Sequence, residues 1–341
     1  MYGYVAKRIL FTIFACWLAL SIVFVVVTAA PNTDQWRASM QVAQAGGNAS
    51  EAMEAYAERH NLNEPLHERY LNYMENMFTL NWGWSTMRNQ PVTTAIGTAW
   101  PYSAQIMIPS IILAVVFGMF IGLYSAMRQH TWVDYAGSFT AFFGVSIPNF
   151  WFAIMSILVV SVWLRDLAQP YLLFGYPIVE LIPPVYYHTS YPMFSLANLQ
   201  QIVLPILIVS TATVATQMRY ARAEGLEYME SQWVKAARAK GAGEWHIMIK
   251  HVFRVALIPL STILIGDALA ILWSGAFLVE YVFQIPGLGL LAFKAITGGA
   301  NDTALIMGVI LIPTFLALVG NLLQDLAYVW LDPRINYGDR T

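Results

Sequence analysis

Long apolar runs alternate with polar segments along this chain. The first run, Ile9–Ala30, follows Lys7-Arg8 and contains no charged residue. Ser103–Met127, Tyr135–Leu164, Asn198–Met218, Val255–Val279 and Thr303–Gln324 follow, and only Val255–Val279 carries a charge, Asp267. Each run is near or above the roughly 20 residues that a helix needs to cross about 30 Å of hydrocarbon. The runs are continuous, without period-two alternation, so they predict helices and not barrel strands. A secretory signal has an apolar core of roughly 7–15 residues, shorter than Ile9–Ala30, so that run reads as a retained first helix. The pattern predicts an all-α membrane protein with six transmembrane helices: an N-terminal helix (1–30), an extracellular segment between helices 1 and 2 (31–101), and a five-helix core (102–341). Pro109, Pro148, Pro205 and Pro313 fall inside runs, where neighbouring helices must satisfy the carbonyls that a kink frees.

Composition agrees. Of 341 residues, 58% are hydrophobic and 11% charged, and mean hydropathy is +0.54, whereas a soluble domain carries about 25% charged residues. A net charge of −2 provides no basic field for nucleic acid. Cys16 is the single cysteine and forms no internal disulfide.

Basic residues orient the runs. With both termini on one side, that side collects Lys7, Arg8, Arg128, Arg219, Arg222, Lys235, Arg238, Lys240, Lys250, Arg254, Arg334 and Arg340. The other side holds Arg37, Arg59, Arg69, Arg88, Arg165 and Lys294 on longer segments. The positive-inside rule then places both termini and the loop 217–254 in the cytoplasm of a cell membrane. Arg219 and Arg222, at a helix end, are expected to anchor at lipid headgroups.

The external segment predicts a helix over Ser50–Asn61, rich in Ala and Glu, with Ser50 as its cap. A piece of about 70 residues is too small for a robust core of its own, so it is expected to pack against the external mouth. Tyr171–Leu196 is rich in Tyr and Pro and reads as an interfacial belt.

The loop 217–254 is too polar to span and too patterned for a linker. Glu227, Glu230 and Glu244 alternate with Lys235, Arg238, Lys240 and Lys250. Ala236, Ala237, Ala239 and Ala242 permit close approach by another backbone, and Gly241 would turn a helix there. The pattern suits either a compact peg entering a partner's cleft or an ordinary solvated helix beside the membrane.

Met218-Arg219-Tyr220-Ala221-Arg222 through Ala236-Ala237-Arg238-Ala239-Lys240-Gly241, followed by His251, Arg254, Ile258 and Pro259, resembles the permease subunits of ATP-binding-cassette (ABC) importers, in their dipeptide, oligopeptide and nickel branch. The likeness extends to Val279-Glu280-Tyr281-Val282-Phe283 with Pro286-Gly287-Leu288-Gly289, and to Asp325-Leu326-Ala327-Tyr328 with Leu331-Asp332-Pro333-Arg334. Tyr4 with Arg8, Leu62 with Pro65 and Tyr70, and Ser146-Ile147-Pro148 with Phe150-Trp151 are similar too, so nearly the full chain is covered. Lys235 stands where the general loop begins with Glu, Arg254 where it has Pro, and Ala30-Pro31-Asn32 is all that remains of the branch's Pro-Gly-Asp-Pro.

The resemblance implies the type I ABC importer permease fold, no cofactor, and a transport subunit that is not itself an enzyme. It implies a second homologous permease, two ABC ATPase subunits that hydrolyse ATP, and an extracellular solute-binding protein as partners. Lys235, Ala236, Ala237, Arg238, Lys240, Gly241 and Glu244 would form the ATPase-coupling loop. The implied cargo is di- or oligopeptides, moved by alternating access. A nickel complex, glutathione or a sugar is the alternative cargo, and a stand-alone secondary transporter is the rival class.

Asp267 lies inside a run, where an unpaired charge costs roughly 2.5–3.5 kcal/mol. It is expected to face protein or water, either paired with a neighbouring helix or on the translocation path. Glu280, just past the outer end of the same run, is the second path candidate. The six histidines are His60, His67, His130, His188, His246 and His251. His246 and His251 are five apart, off the i, i+4 spacing of a metal pair on one helix face. No zinc, redox or nucleophile motif occurs. Gly241-Ala242-Gly243 and Gly287-Leu288-Gly289 lack the Gly-Lys-Ser/Thr ending of a phosphate loop, so the chain is not expected to hydrolyse ATP alone. Asn48-Ala49-Ser50 and Asn301-Asp302-Thr303 match the glycosylation triplet.

Overall fold

The computed structural model describes residues 2–29, 33–59, 61–168, 172–173, 176–177, 182–270, 276–297 and 302–331. Their elements begin with α1 (Tyr2–Ala29), α2 (Thr33–Gln44), α3 (Ala49–Arg59), α4 (Leu66–Phe78) and an antiparallel hairpin of β1 (Trp84–Ser85) and β2 (Gln90–Pro91). Then come α5 (Val92–Leu113), α6 (Met119–Met127), α7 (Trp132–Ser146), α8 (Asn149–Ser156), α9 (Arg165–Ala168) and a second hairpin, β3 (Leu172–Leu173) with β4 (Tyr176–Pro177). The chain continues with α10 (Leu196–Met229), α11 (Gln232–Ala239), α12 (Glu244–His246), α13 (Arg254–Ala270), α14 (Ala276–Phe283), α15 (Leu288–Thr297) and α16 (Thr303–Leu331). Stretches of π-helix join α5 to α6 (Ala114–Gly118), α8 to α9 (Ile157–Leu164) and α12 to α13 (Ile247–Phe253).

Among the described residues, five helices are long and apolar enough to cross a membrane: Gly3–Ala29, Val92–Met127, Asn149–Ala168, Leu196–Met229 and Thr303–Leu323. Two bent pairs, Glu244–Leu257 with Pro259–Gly266 and Phe277–Phe283 with Leu288–Thr297, raise the number to seven if each is one span. Two predicted runs are therefore not single straight helices. Tyr135–Leu164 divides at Ile147, whose φ of −90° and ψ of 124° are extended. Pro148 imposes this, because its ring disfavours a helical residue before it. The Val255–Val279 run bends by 54° next to Pro259. The side chain of Asp267, the residues Ala30-Pro31-Asn32, Asn301, His60 and the ending from Asp332 lie outside the described residues.

Contacts gather the chain into two compact units. The first comprises Met1–Ala99 and Leu291–Leu322. Its core joins Leu20, Met74 and Leu311 with Tyr70, Tyr73 and Phe315, so α4 packs on both α1 and α16. The Ser21 and Tyr70 hydroxyls meet at 2.8 Å. Asp302, almost fully buried, caps α16 by accepting the Leu305 N–H at 3.1 Å. Its other oxygen accepts the Ser85 hydroxyl at 2.6 Å and the Met87 N–H at 3.0 Å, which fastens the β1–β2 hairpin to that helix. The external helix α3 begins as predicted, but its cap is Asn48 and not Ser50. Asn48 Oδ1 accepts the Ser50 N–H at 3.1 Å, and Asn48 Nδ2 donates to Glu51 Oε1 at 3.0 Å, so the cap sits two residues earlier than expected.

The second unit comprises Trp100–Leu290 and the end of α16 from Leu323. Its centre is the crossing of α6 and α10. Gly118, Gly122 and Ala126 repeat every fourth residue and meet Gln217, Met218, Ala221 and Gly225. A Cβ on Gly122 would overlap the Met218 carbonyl and the Ala221 side chain. Such small-residue seams let helix backbones approach closely where the surrounding lipid offers no hydrophobic drive for association.

Candidate functional site: the loop between α10 and α13

The predicted coupling loop is ordered around the short helix α11. Ser231 precedes α11 in extended conformation, and α11 ends in a Schellman turn. The Gly241 N–H donates to the Arg238 carbonyl at 2.9 Å and the Ala242 N–H to the Ala237 carbonyl at 3.1 Å. Gly241 has φ of +81°, a conformation in which a side chain is costly. Its predicted turning role is thus a backbone requirement.

The helix has two faces. Val234 is fully buried and joins Met119, Leu123, Ala221, Ile247 and Met248, with Ala237 packed against the same cluster. Lys235, Ala236, Arg238, Ala239, Lys240 and Gly241 are exposed. Ala237 therefore supports the helix from inside, and the small residues facing outward are Ala236 and Ala239. The outer face is basic at its edges and nearly flat between them. Trp233, half exposed, leans on Tyr228 with ring centroids 6.4 Å apart.

Past the turn, the loop is tied back to α6. Trp245 stacks on Tyr124 and Phe120 at 5.5 and 6.0 Å. Glu244 lies 3.7 Å from Arg128, with both side chains about half exposed, so the ion pair contributes little energy. The His246 and His251 rings stand 5.7 Å apart, contrary to the expectation of separate faces. The intervening residues are π-helical, which brings positions five apart onto one side, with the two rings tilted by 59°. No group of three or more metal-ligating side chains occurs among the described residues.

Arg222, expected at the headgroups, instead pairs with Asp134. Its Nε donates to Oδ1 at 2.6 Å and its Nη2 to Oδ2 at 2.9 Å. The same carboxylate accepts the Ser125 hydroxyl at 2.5 Å and the His130 N–H at 3.1 Å. Asp134 precedes the third apolar run and is only 2% exposed. Arg222 above all, with Ser125 and the His130 N–H adding, holds its carboxyl well below the usual carboxylate range, against the opposing push of burial. Sequence reasoning passed over Asp134. Its only signal was an acid in the first turn of a helix that follows a short basic turn.

Glu280 is fully buried at the break between α14 and α15. Its Oε1 accepts the Ser103 hydroxyl at 2.6 Å, and its Oε2 accepts the N–H groups of Gly289 and Leu290 at 2.7 and 3.3 Å. Ser103 Oγ in turn accepts the Leu288 N–H at 2.8 Å. The carboxylate so caps the start of α15. A Cβ on Gly287 would stand on that carboxylate, which accounts for the Gly287-Leu288-Gly289 pair without a phosphate.

The loop thus presents one short exposed helix on a buried stem, beside an interrupted set of helices long and apolar enough to cross a membrane. Residues 114–337 match the family described as binding-protein-dependent transport system inner membrane component. The chain belongs to that family and is a permease subunit of the ABC importer class, with the type I fold. The oligopeptide transport system permease protein AppB of Bacillus subtilis is 33% identical over 343 residues, covering 99% of this chain and 100% of its own length. The dipeptide transport system permease protein DppB of Alkalihalophilus pseudofirmus is 32% identical over 293 residues, 82% of this chain and 84% of its own.

Proposed function

We propose that this chain is the membrane-spanning subunit of an ATP-driven importer of di- or oligopeptides. The observation that carries the reading is the exposed face of α11, held on Val234 and closed by Gly241, in a chain whose full-length relative is an oligopeptide permease. In this reading both termini and the loop 217–254 are cytoplasmic, and the outer face of α11 enters a groove on an ABC ATPase subunit. Two such ATPases, a second homologous permease and an extracellular solute-binding protein complete the importer. ATP-driven closure of the ATPases moves the loop, and the membrane helices open alternately to either side. Asp267 stays the candidate for the path. Glu280, with both oxygens occupied by protein donors, is assigned to bracing the α14–α15 break. The test is reconstitution of the complete complex in liposomes with a labelled tripeptide. ATP-dependent uptake that needs the binding protein supports the reading, and peptide-independent ATP turnover with uptake of nickel, glutathione or sugar instead would overturn the cargo.

A further inference from the structure

We infer that Asp134 and Arg222 are positioning residues for coupling: the pair makes the turn between α6 and α7 move as one block with α10 and the α11 loop. The inference rests on the proposed importer function.

Three observations meet at this point. First, the Asp134 carboxylate gathers donors from three elements: Ser125 on α6, His130 in the turn, and two nitrogens of Arg222 on α10. A buried ion pair is weak evidence of stability by itself, since apolar replacements often serve as well, and fixing one arrangement is the better-attested use. Second, the turn is held in an unfavourable shape. His130 has φ of +62°, rare for a residue with a side chain, and the Asp134 oxygen that binds its N–H helps to hold it there. Third, the α11 loop touches the end of α6 and the start of the same turn, through Trp245 on Tyr124 and Glu244 beside Arg128.

A push on α11 therefore reaches the 128–134 turn by two routes, through the loop contacts and through α10. The bidentate pair fixes both the distance and the orientation between the start of α7 and α10, so a displacement of one is carried to the other.

The experiment uses the complete complex in nanodiscs and liposomes and measures ATPase-subunit affinity and peptide taken up per ATP. In Asp134→Asn, ATPase affinity should stay within about twofold, while uptake per ATP falls about tenfold, a usual size for a coupling effect. Arg222→Lys keeps the charge and loses the fork, so it should fall between the two. If Asp134→Asn does not assemble, Asp134→Cys with Arg222→Cys in a Cys16→Ala background provides the second arm. Bridging the two thiols with a short bifunctional reagent should restore uptake per ATP, and cleaving the bridge should abolish it. Uptake per ATP unchanged in Asp134→Asn, or not restored by the bridge, overturns the inference. Failure of the unsubstituted complex to import peptide overturns the proposed function, and the inference falls with it.

Discussion

Val234 and Ala236 lie on opposite faces of one helical turn, the first sealed in the core and the second exposed. The two positions separate folding from docking. Ala236→Glu adds a side chain on the exposed face and should change stability by no more than about 0.5 kcal/mol. It should weaken ATPase-subunit binding at least about tenfold if the face is a docking centre. Val234→Asp buries an unpaired charge, a change of several kcal/mol, and should prevent assembly. Thermal melts and subunit pull-down on both variants check the contrast. Ala237→Glu belongs with Val234→Asp, because Ala237 packs on the same cluster.

Gly241→Ala should leave the fold inserted and loosen the turn. At φ of +81° a side chain costs about 1–2 kcal/mol, and no neighbouring atom within 4 Å would clash with it. Faster amide hydrogen exchange confined to the α11 turn is the expected result.

The apolar runs, the short helix of the loop and the need for Gly241 were legible because each is local: run length, small-residue pattern and turn chemistry. The division of Tyr135–Leu164 at Pro148 was half legible. The proline marks the place, but a proline inside an apolar run is compatible with a kinked continuous helix as well as with the break that forms at Ile147. The long-range polar ties were not legible. Asp134 and Arg222 are 88 residues apart, and Ser103 and Glu280 are 177 apart. Nothing near any of the four names its partner. The approach of His246 to His251 is not legible for a different reason: the chain is π-helical there, and no residue pattern signals that departure from α-helical spacing.

At the α14–α15 break, Ser103→Ala removes a donor to Glu280 and an acceptor for Leu288. The expected cost is about 1–3 kcal/mol, the desolvation penalty of a buried group left unpaired. Gly287→Ala should cost more, because its Cβ would displace the carboxylate itself. Glu280→Gln keeps one acceptor oxygen and should be milder than Glu280→Ala. Melting of the purified chain in detergent ranks the four.

The clamp carries a pH signature. The carboxyl of Asp134 is held below its ordinary range in the folded protein, so the folded state binds the proton less readily than the unfolded chain. The stabilisation is fully present above the unfolded value of about 3.9 and is lost as pH falls through the folded value. The melting difference between the unsubstituted chain and Asp134→Asn should be constant from about pH 8 to pH 5 and shrink only below about pH 4. A difference that already shrinks near neutrality would mean that the carboxyl is not held by Arg222.

The central claim is that the outer face of α11 meets the ATPase. A single cysteine at Ala236, with Cys16→Ala, should form a short-range crosslink to an ATPase subunit in the assembled complex and change its yield when ATP binds. The same cysteine at exposed Trp84, on the β1–β2 hairpin, should form none. Absence of a crosslink from Ala236 in a complex that transports peptide, or an equal crosslink from Trp84, would contradict the account.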